Sequence, residues 1–212
     1  MAINSINPGC TSTPAMAIAS DILVLNFTAA EAATISGRKK NAPSPISASR
    51  VSVGEPFGSA PLIARALDVT ETPTLAARVV VTRSLEVAEL ACKAGVKTIL
   101  HSLPGRNDTV RLGLEALLSE LPGLAGCIFL PGDQPLLRKE SLEAMARDFS
   151  ALDEKERAIL RLGFRAEDGT ERLGSPVLFG SSYFGALCSL PEDKGGGVVI
   201  RQHPESVQAV YA

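Results

Sequence analysis

The chain is poor in the residues that most often announce a catalytic or metal centre. Its 212 residues include only two histidines, His101 and His203, far apart in sequence, and residue order alone defines no Ser–His–Asp or Cys–His arrangement. Each reads as a strand-end or surface residue rather than a ligand. The four cysteines, Cys10, Cys92, Cys127 and Cys188, form no C-x-x-C pair, so the spacing of a zinc site is missing. Cys92 and Cys127 sit in apolar segments and read as small buried hydrophobes. No apolar run approaches the ~20 residues that cross a bilayer, and the N-terminus lacks the basic-then-apolar order of a signal peptide. A cytoplasmic protein that does not enter a membrane is expected. Excess positive charge is also missing: the net charge is -2, which gives no footprint for DNA or RNA.

What is present is enough for one domain. Hydrophobic residues make up 45% and charged residues 21%, ordinary values for a folded core. Residues 1–20 are rich in Ser, Thr, Pro and Asn and read as a poorly ordered N-terminus, leaving 21–212 as a single domain. Within it, 26–53 is atypical: Ala- and Ser-rich, interrupted by Pro43 and Pro45, with a basic knot at Arg38, Lys39 and Lys40. Its composition resembles out-of-frame translation joined to a normal frame near Gly54.

Regular patterning lies on either side of that stretch. Strands are expected at 22–25, 78–82, 97–100, 127–130, 158–164 and 207–211, and helices at 61–67, 85–94, 108–118, 141–149 and 183–190. Ser84 is a candidate N-cap and Gly95 a candidate C′ residue for the second helix. The run Cys127-Ile128-Phe129-Leu130 has no polar alternation, as in a strand buried on both faces of a parallel sheet. Alternation of strand and helix with short connections implies an α/β fold with helices on both faces of a mostly parallel sheet.

Ligands of such folds collect beyond the carboxyl ends of the strands. There the chain reads Leu130-Pro131-Gly132-Asp133-Gln134-Pro135: a glycine for the turn, then a carboxylate able to hold Mg²⁺ against phosphate oxygens. The same residues would also serve as a plain turn. Three more segments attract notice. Gly105 to Leu114 places polar groups at a helix N-terminus, suited to an anion or to ordinary capping by Asp108 or Thr109. Arg172 to Phe179 contains Gly174-Ser175-Pro176 and reads as a turn before a strand. Glu192-Asp193-Lys194-Gly195-Gly196-Gly197 is a loop whose amides could cradle phosphate.

In this order, the four segments resemble the MobA-like nucleotidyltransferases, with closest similarity to the molybdenum cofactor cytidylyltransferases. That group has a Gly-Asp-Gln-Pro turn after a strand, then Gly-His-Pro-Val-Leu-Phe, then a Gly-Asp-x-Gly loop. The likeness runs from Gly54 to about His203, includes Pro61-Leu62-Ile63, and is most specific at Asp133. It implies a three-layer Rossmann-like fold and transfer of CMP from CTP to the phosphate of molybdopterin, with release of pyrophosphate. Asp133 would be the catalytic residue and Mg²⁺ ligand. Thr109 and Arg111 would lie near the nucleotide, with Arg38 and Lys40 as the basic candidates for the triphosphate. Gln134, Gly174, Ser175, Pro176, Asp193 and Gly195 would line the substrate side.

The chain departs from the pattern in three places. Asn26-Phe27-Thr28-Ala29-Ala30 stands where the family has a Gly-rich triphosphate loop, Ser175 replaces the family's His, and no Asp-x-Asp-Thr-Pro segment occurs before Ala212. The alternatives are a non-catalytic relative that binds a nucleotide, a pterin or a molybdoenzyme, and a transferase that uses GTP or a sugar phosphate.

Overall fold

The computed structural model describes residues 22–24, 56–57, 60–134, 136–165 and 168–211. The expectations for residues 1–20 and 26–53, Arg38 and Lys40 among them, lie outside the described residues, as does Pro135.

The elements obey the sequence periods. In chain order they are β1 (Ile22–Val24), β2 (Pro56–Phe57), β3 (Ala60–Pro61), α1 (Leu62–Val69), β4 (Val79–Thr82), α2 (Leu85–Lys93), β5 (Lys97–Leu100) and α3 (Arg106–Glu120). Then come β6 (Gly126–Phe129), α4 (Lys139–Ser150), β7 (Ile159–Arg165), β8 (Glu171–Gly180), α5 (Phe184–Cys188), α6 (Gly197–Gln202) and β9 (Val207–Val210). Ser84 caps α2 by accepting the Val87 N–H at 3.4 Å, and Gly95 takes φ +71° just past its end. Helix α3 starts earlier than the apolar period suggests, with Gly105 at the N-cap. Asp108 sits one turn in and accepts the Gly105 N–H at 3.2 Å.

Five strands form one sheet in the order β1-β6-β8-β7-β9, and β4 pairs with β5. The β1–β6, β4–β5 and β7–β9 pairs are parallel. Strand β8 runs antiparallel to both β6 and β7. The apolar run of β6 is buried on both faces, but one neighbour is antiparallel: a strand between two covered faces is apolar whichever way its partner runs.

Side chains alternate between two cores, as the two-residue period of a strand requires. Val80, Ile128, Leu160 and Leu178 point into a core shared with residues of α1, α2 and α4. Val79, Val81, Cys127, Ile159 and Phe179 point into a second core with α3, α5 and α6. The result is three layers, helix–sheet–helix. Phe149 of α4 is fully buried, and β6 begins at a glycine because a Cβ on Gly126 would lie 2.5 Å from the Phe149 ring. Burying a Phe side chain stabilises by about 1.5–3 kcal/mol. Cys92 faces solvent, not the core: on α2 the buried positions are Val87, Ala88 and Ala91, and Cys92 falls on the next, outer position.

Candidate active site

The described residues form a cleft of about 370 Å³ at the carboxyl end of β6. Four parts of the chain build it. Strand β6 and its exit contribute Phe129, Leu130 and Pro131; α3 contributes Arg106 and Val110; β7 and β8 contribute Arg161, Ser175, Val177 and Phe179; the glycine loop into α6 contributes Gly195, Gly196 and Gly197. The walls are mostly apolar, and both polar corners are arginines. Phe129 and Phe179 meet edge to face at 5.7 Å, which fixes the floor.

Asp133 lies two residues beyond the cleft-lining Pro131, in the turn that leaves β6, and is exposed. Among the described residues its carboxylate has neither hydrogen bond nor ion pair. Gln134, beside it, has its side-chain Oε1 buried without a partner. An exposed, unpaired carboxylate at a strand exit fits a hard divalent cation, which takes one or two carboxylates and keeps its other positions for water and phosphate. No cluster of three or more His, Cys, Asp or Glu able to hold a metal occurs among the described residues.

The Gly174-Ser175-Pro176 segment is not a turn before a strand. All three residues lie inside β8, and the turn is replaced by a bulge: Arg161 pairs with Val177 while Gly163 pairs with Leu173. One residue of β7, Leu162, therefore spans Gly174, Ser175 and Pro176. This irregularity brings Ser175 to the cleft wall and buries Pro176 behind it. Gly174 packs against Phe164, whose ring would be 3.3 Å from an added Cβ.

The glycine loop also comes to the cleft. Gly195 lines it. Asp193, exposed, adopts φ 58° and donates its N–H to Asn107 Oδ1 at 3.3 Å. That bond ties the loop to the first turn of α3. The six-residue helix α6, directly after the glycines, has no periodic signature long enough to be read from sequence.

Two residues expected near the nucleotide, Thr109 and Arg111, do not line the cleft. Arg111 points to the outer side of α3, where it bonds Asp108 at 3.1 Å and Glu115 at 3.2 Å. These partners, Asp108 first, raise its already high pKa. Thr109 is buried, with Oγ1 3.3 Å from His101 Nε2. The reason is helical phase. Residues 106 and 110 share a face, 111 lies on nearly the opposite side, and 109 stands on the flank, about 100° round the helix from 110, where it meets His101. The cleft cation of this helix is Arg106, an exposed residue with no ion pair among the described residues. Spacing of i and i+4 to the apolar Val110 was the available signal for it. Arg161 carried no signal, because an arginine inside a strand is placed only by the bulge.

His101 directly follows β5 and extends its ladder by donating its N–H to the Thr82 carbonyl at 3.1 Å. Its ring is buried with Nδ1 unpartnered. Burial pushes its pKa down, the Arg83 charge adds to that, Asp108 opposes it, and Arg111 lowers it further. His203 packs on Tyr183, ring centroids 5.1 Å apart. Burial pushes the Cys127 thiol well up. Among the described residues no helix is long and apolar enough to cross a membrane.

A three-layer α/β domain with a carboxylate-bearing turn and a cleft beyond the end of a buried central strand is the architecture of a Rossmann-like nucleotidyltransferase. Residues 55–207 match the MobA-like NTP transferase domain, and the chain belongs to that family. No curated protein matches the sequence. Among solved structures the chain is similar to Rv0371c from Mycobacterium tuberculosis H37Rv, at 19% identity over 90% of this chain and 86% of that one, with a TM-score of 0.61. It is similar to Rv0371c in complex with manganese, at 20% identity over 74% and 78% of the two chains and a TM-score of 0.53. A further neighbour is 4-diphosphocytidyl-2C-methyl-D-erythritol synthase from Anaerococcus prevotii DSM 20548, at 13% identity over 76% and 83% of the two chains and a TM-score of 0.58. Likeness at these identities concerns the fold.

Proposed function

We propose that this chain is a cytosolic cytidylyltransferase that moves CMP from CTP to the phosphate of molybdopterin. The observation that carries the reading is the free Asp133 carboxylate at the exit of β6, beside a cleft with an unpaired arginine on its α3 wall. In the reaction an acceptor phosphate oxygen attacks the α-phosphorus of CTP. The bond from that phosphorus to the β-phosphate oxygen breaks, and pyrophosphate leaves. Such a transfer needs positioning and charge neutralisation more than covalent help from the protein.

The residues divide that work. Asp133 would hold Mg²⁺, which when bound supplies positive charge at the phosphate oxygens. The manganese complex of the Rv0371c neighbour supports a divalent cation in this fold. Arg106 neutralises phosphate charge from the α3 wall, in the place first expected for Arg111. Arg38 and Lys40 would meet the triphosphate from outside the described residues. Gln134 offers its unpartnered Oε1 to a donor on the substrate. Gly174, Ser175 and Pro176 shape the acceptor wall, and Asp193 and Gly195 close the cleft from the loop. The name of the diphosphocytidyl neighbour supports cytidine as the base.

The test is pyrophosphate release with magnesium and molybdopterin, CTP and GTP in competition. Release from CTP in preference to GTP, lost on removing magnesium, is expected. Preference for GTP overturns the choice of base, and release with neither nucleotide overturns the transfer reaction itself. Binding of molybdopterin without turnover would instead support a non-catalytic relative.

A further inference from the structure

Among the described residues, Arg161 is a charge that the fold alone does not explain. It stands in β7, at the one place where the β7–β8 ladder shifts register. Bulges of this kind re-aim a side chain out of the regular pleat. Here the guanidinium reaches the rim of the bulge, where Nη2 donates to the Leu173 carbonyl at 2.7 Å. Its Nε is buried with no partner, and among the described residues no carboxylate pairs with it. An arginine held by one hydrogen bond, with a further donor unsatisfied, is destabilising for the protein alone. It is what an anion site requires, because guanidinium donors are arranged as a fork that matches phosphate.

The surroundings narrow the ligand. Arg161 shares the cleft with Arg106 on the α3 wall, and Phe129, Val177 and Phe179 line the same cleft. Ser175 lies on the same wall as Arg161. An apolar slot with a cationic wall suits a flat, weakly polar body carrying a phosphate, not a bare inorganic ion.

The geometry points to Arg161 as the residue that binds the anionic group of the acceptor, in a slot that takes, as a class, a phosphate monoester bearing an aromatic or heteroaromatic ring. This deepens the proposed function and rests on it for the word acceptor only; the binding site itself is defined by Arg161 and the slot.

The test is calorimetric titration of the full chain, without nucleotide or metal, with phenyl phosphate, phenol and inorganic phosphate. Phenyl phosphate is expected to bind at least about tenfold more tightly than either of the other two, because only it engages both slot and arginine. Arg161→Gln should weaken phenyl phosphate about tenfold or more and leave phenol unchanged, as loss of a charge-assisted hydrogen bond implies. Arg161→Lys should recover part of the loss. Arg111→Gln, on the outer side of α3, should bind as the wild type does. Equal binding of phenol and phenyl phosphate, no saturable binding of phenyl phosphate, or undiminished binding by a folded Arg161→Gln would each overturn the proposal. If Arg161→Gln fails to fold, the comparison of the three ligands on the wild type still decides. Phenyl phosphate binding without CTP turnover would sink the transferase reading and leave this site standing; turnover without phenyl phosphate binding would do the reverse.

Discussion

The two sides of α3 put the same residue types to opposite uses. On the cleft side, Arg106 and Val110 face a space bounded by Phe129, Phe179 and the glycine loop, and the arginine carries no ion pair among the described residues. On the opposite side, Arg111 is held between Asp108 and Glu115; Thr109, on the flank between the two, is buried against His101. One arginine is left for a ligand and the other is committed to its own helix. A cation already neutralised by two carboxylates has little left for a phosphate, whereas an unpaired one at the mouth of a cleft has its full charge to offer. The contrast predicts which substitutions act on chemistry and which act on stability.

The largest effect should come from a residue that belongs to both the cleft and the core. Phe179 is 1% exposed and lies against Phe129, Tyr183 and the glycine loop. Phe179→Ala should destabilise the protein by about 3–5 kcal/mol in urea unfolding and also loosen the cleft. Next comes Arg106→Gln, which should lower kcat/KM for pyrophosphate release by about 10- to 100-fold, the worth of a hydrogen bond to a charged group. Its melting temperature should stay close to that of the wild type. A smaller loss is expected from Gly196→Ala. The added Cβ would lie 3.0 Å from Phe179 Cζ, so the loop must shift by a few tenths of an ångström. A rise in KM with little change in stability is the predicted outcome.

Away from the cleft the effects concern stability alone. His101 has a depressed pKa in the folded state, so below the ordinary value of about 6.5 the unfolded chain takes up a proton that the folded chain refuses. Stability should therefore be level above that pH and fall as the pH drops below it, until the folded ring itself protonates. His101→Gln should flatten this dependence in thermal melts between about pH 7 and pH 5, and an unchanged slope would remove His101 as its source. Arg111→Gln should be the mildest change, about 0.5 kcal/mol of stability and no measurable loss of turnover. A large drop in kcat/KM for Arg111→Gln, with Arg106→Gln silent, would reverse the assignment of the two sides.

Much of the fold was readable because the apolar periods are unbroken from 61 onward. The helices α1, α2 and α4 and the strands β4, β5 and β6 fall within a residue or two of their expected places, since each has an apolar face and a local stop signal. The position of Asp133 was readable for the same reason: the end of an apolar strand is visible in sequence, and the turn beyond it follows β6; its role as a metal ligand belongs to the proposal. The antiparallel placement of β8 was not, because strand direction depends on the connection, and a strand covered on both faces has the same composition in either direction. Gly174-Ser175-Pro176 resembled a turn, since glycine and proline punctuate both turns and bulges. Thr109 and Arg111 fail to line the cleft for reasons of helical phase. A helix that begins at Arg106 presents residues 106 and 110 to the cleft, sets 111 on nearly the opposite side and leaves 109 on the flank, against His101. Cys92 shows the same limit on α2, where an apolar neighbourhood in sequence straddles buried and exposed faces.

The account turns on Asp133, and pyrophosphate release from CTP in the presence of magnesium and molybdopterin tests it most directly. The wild type should release pyrophosphate in a magnesium-dependent manner. Asp133→Asn, nearly identical in shape but uncharged, should lose at least about 100-fold of that rate, since a bound metal ion contributes several kcal/mol to such transfers. A folded Asp133→Asn protein that turns over CTP at the wild-type rate would contradict the central claim.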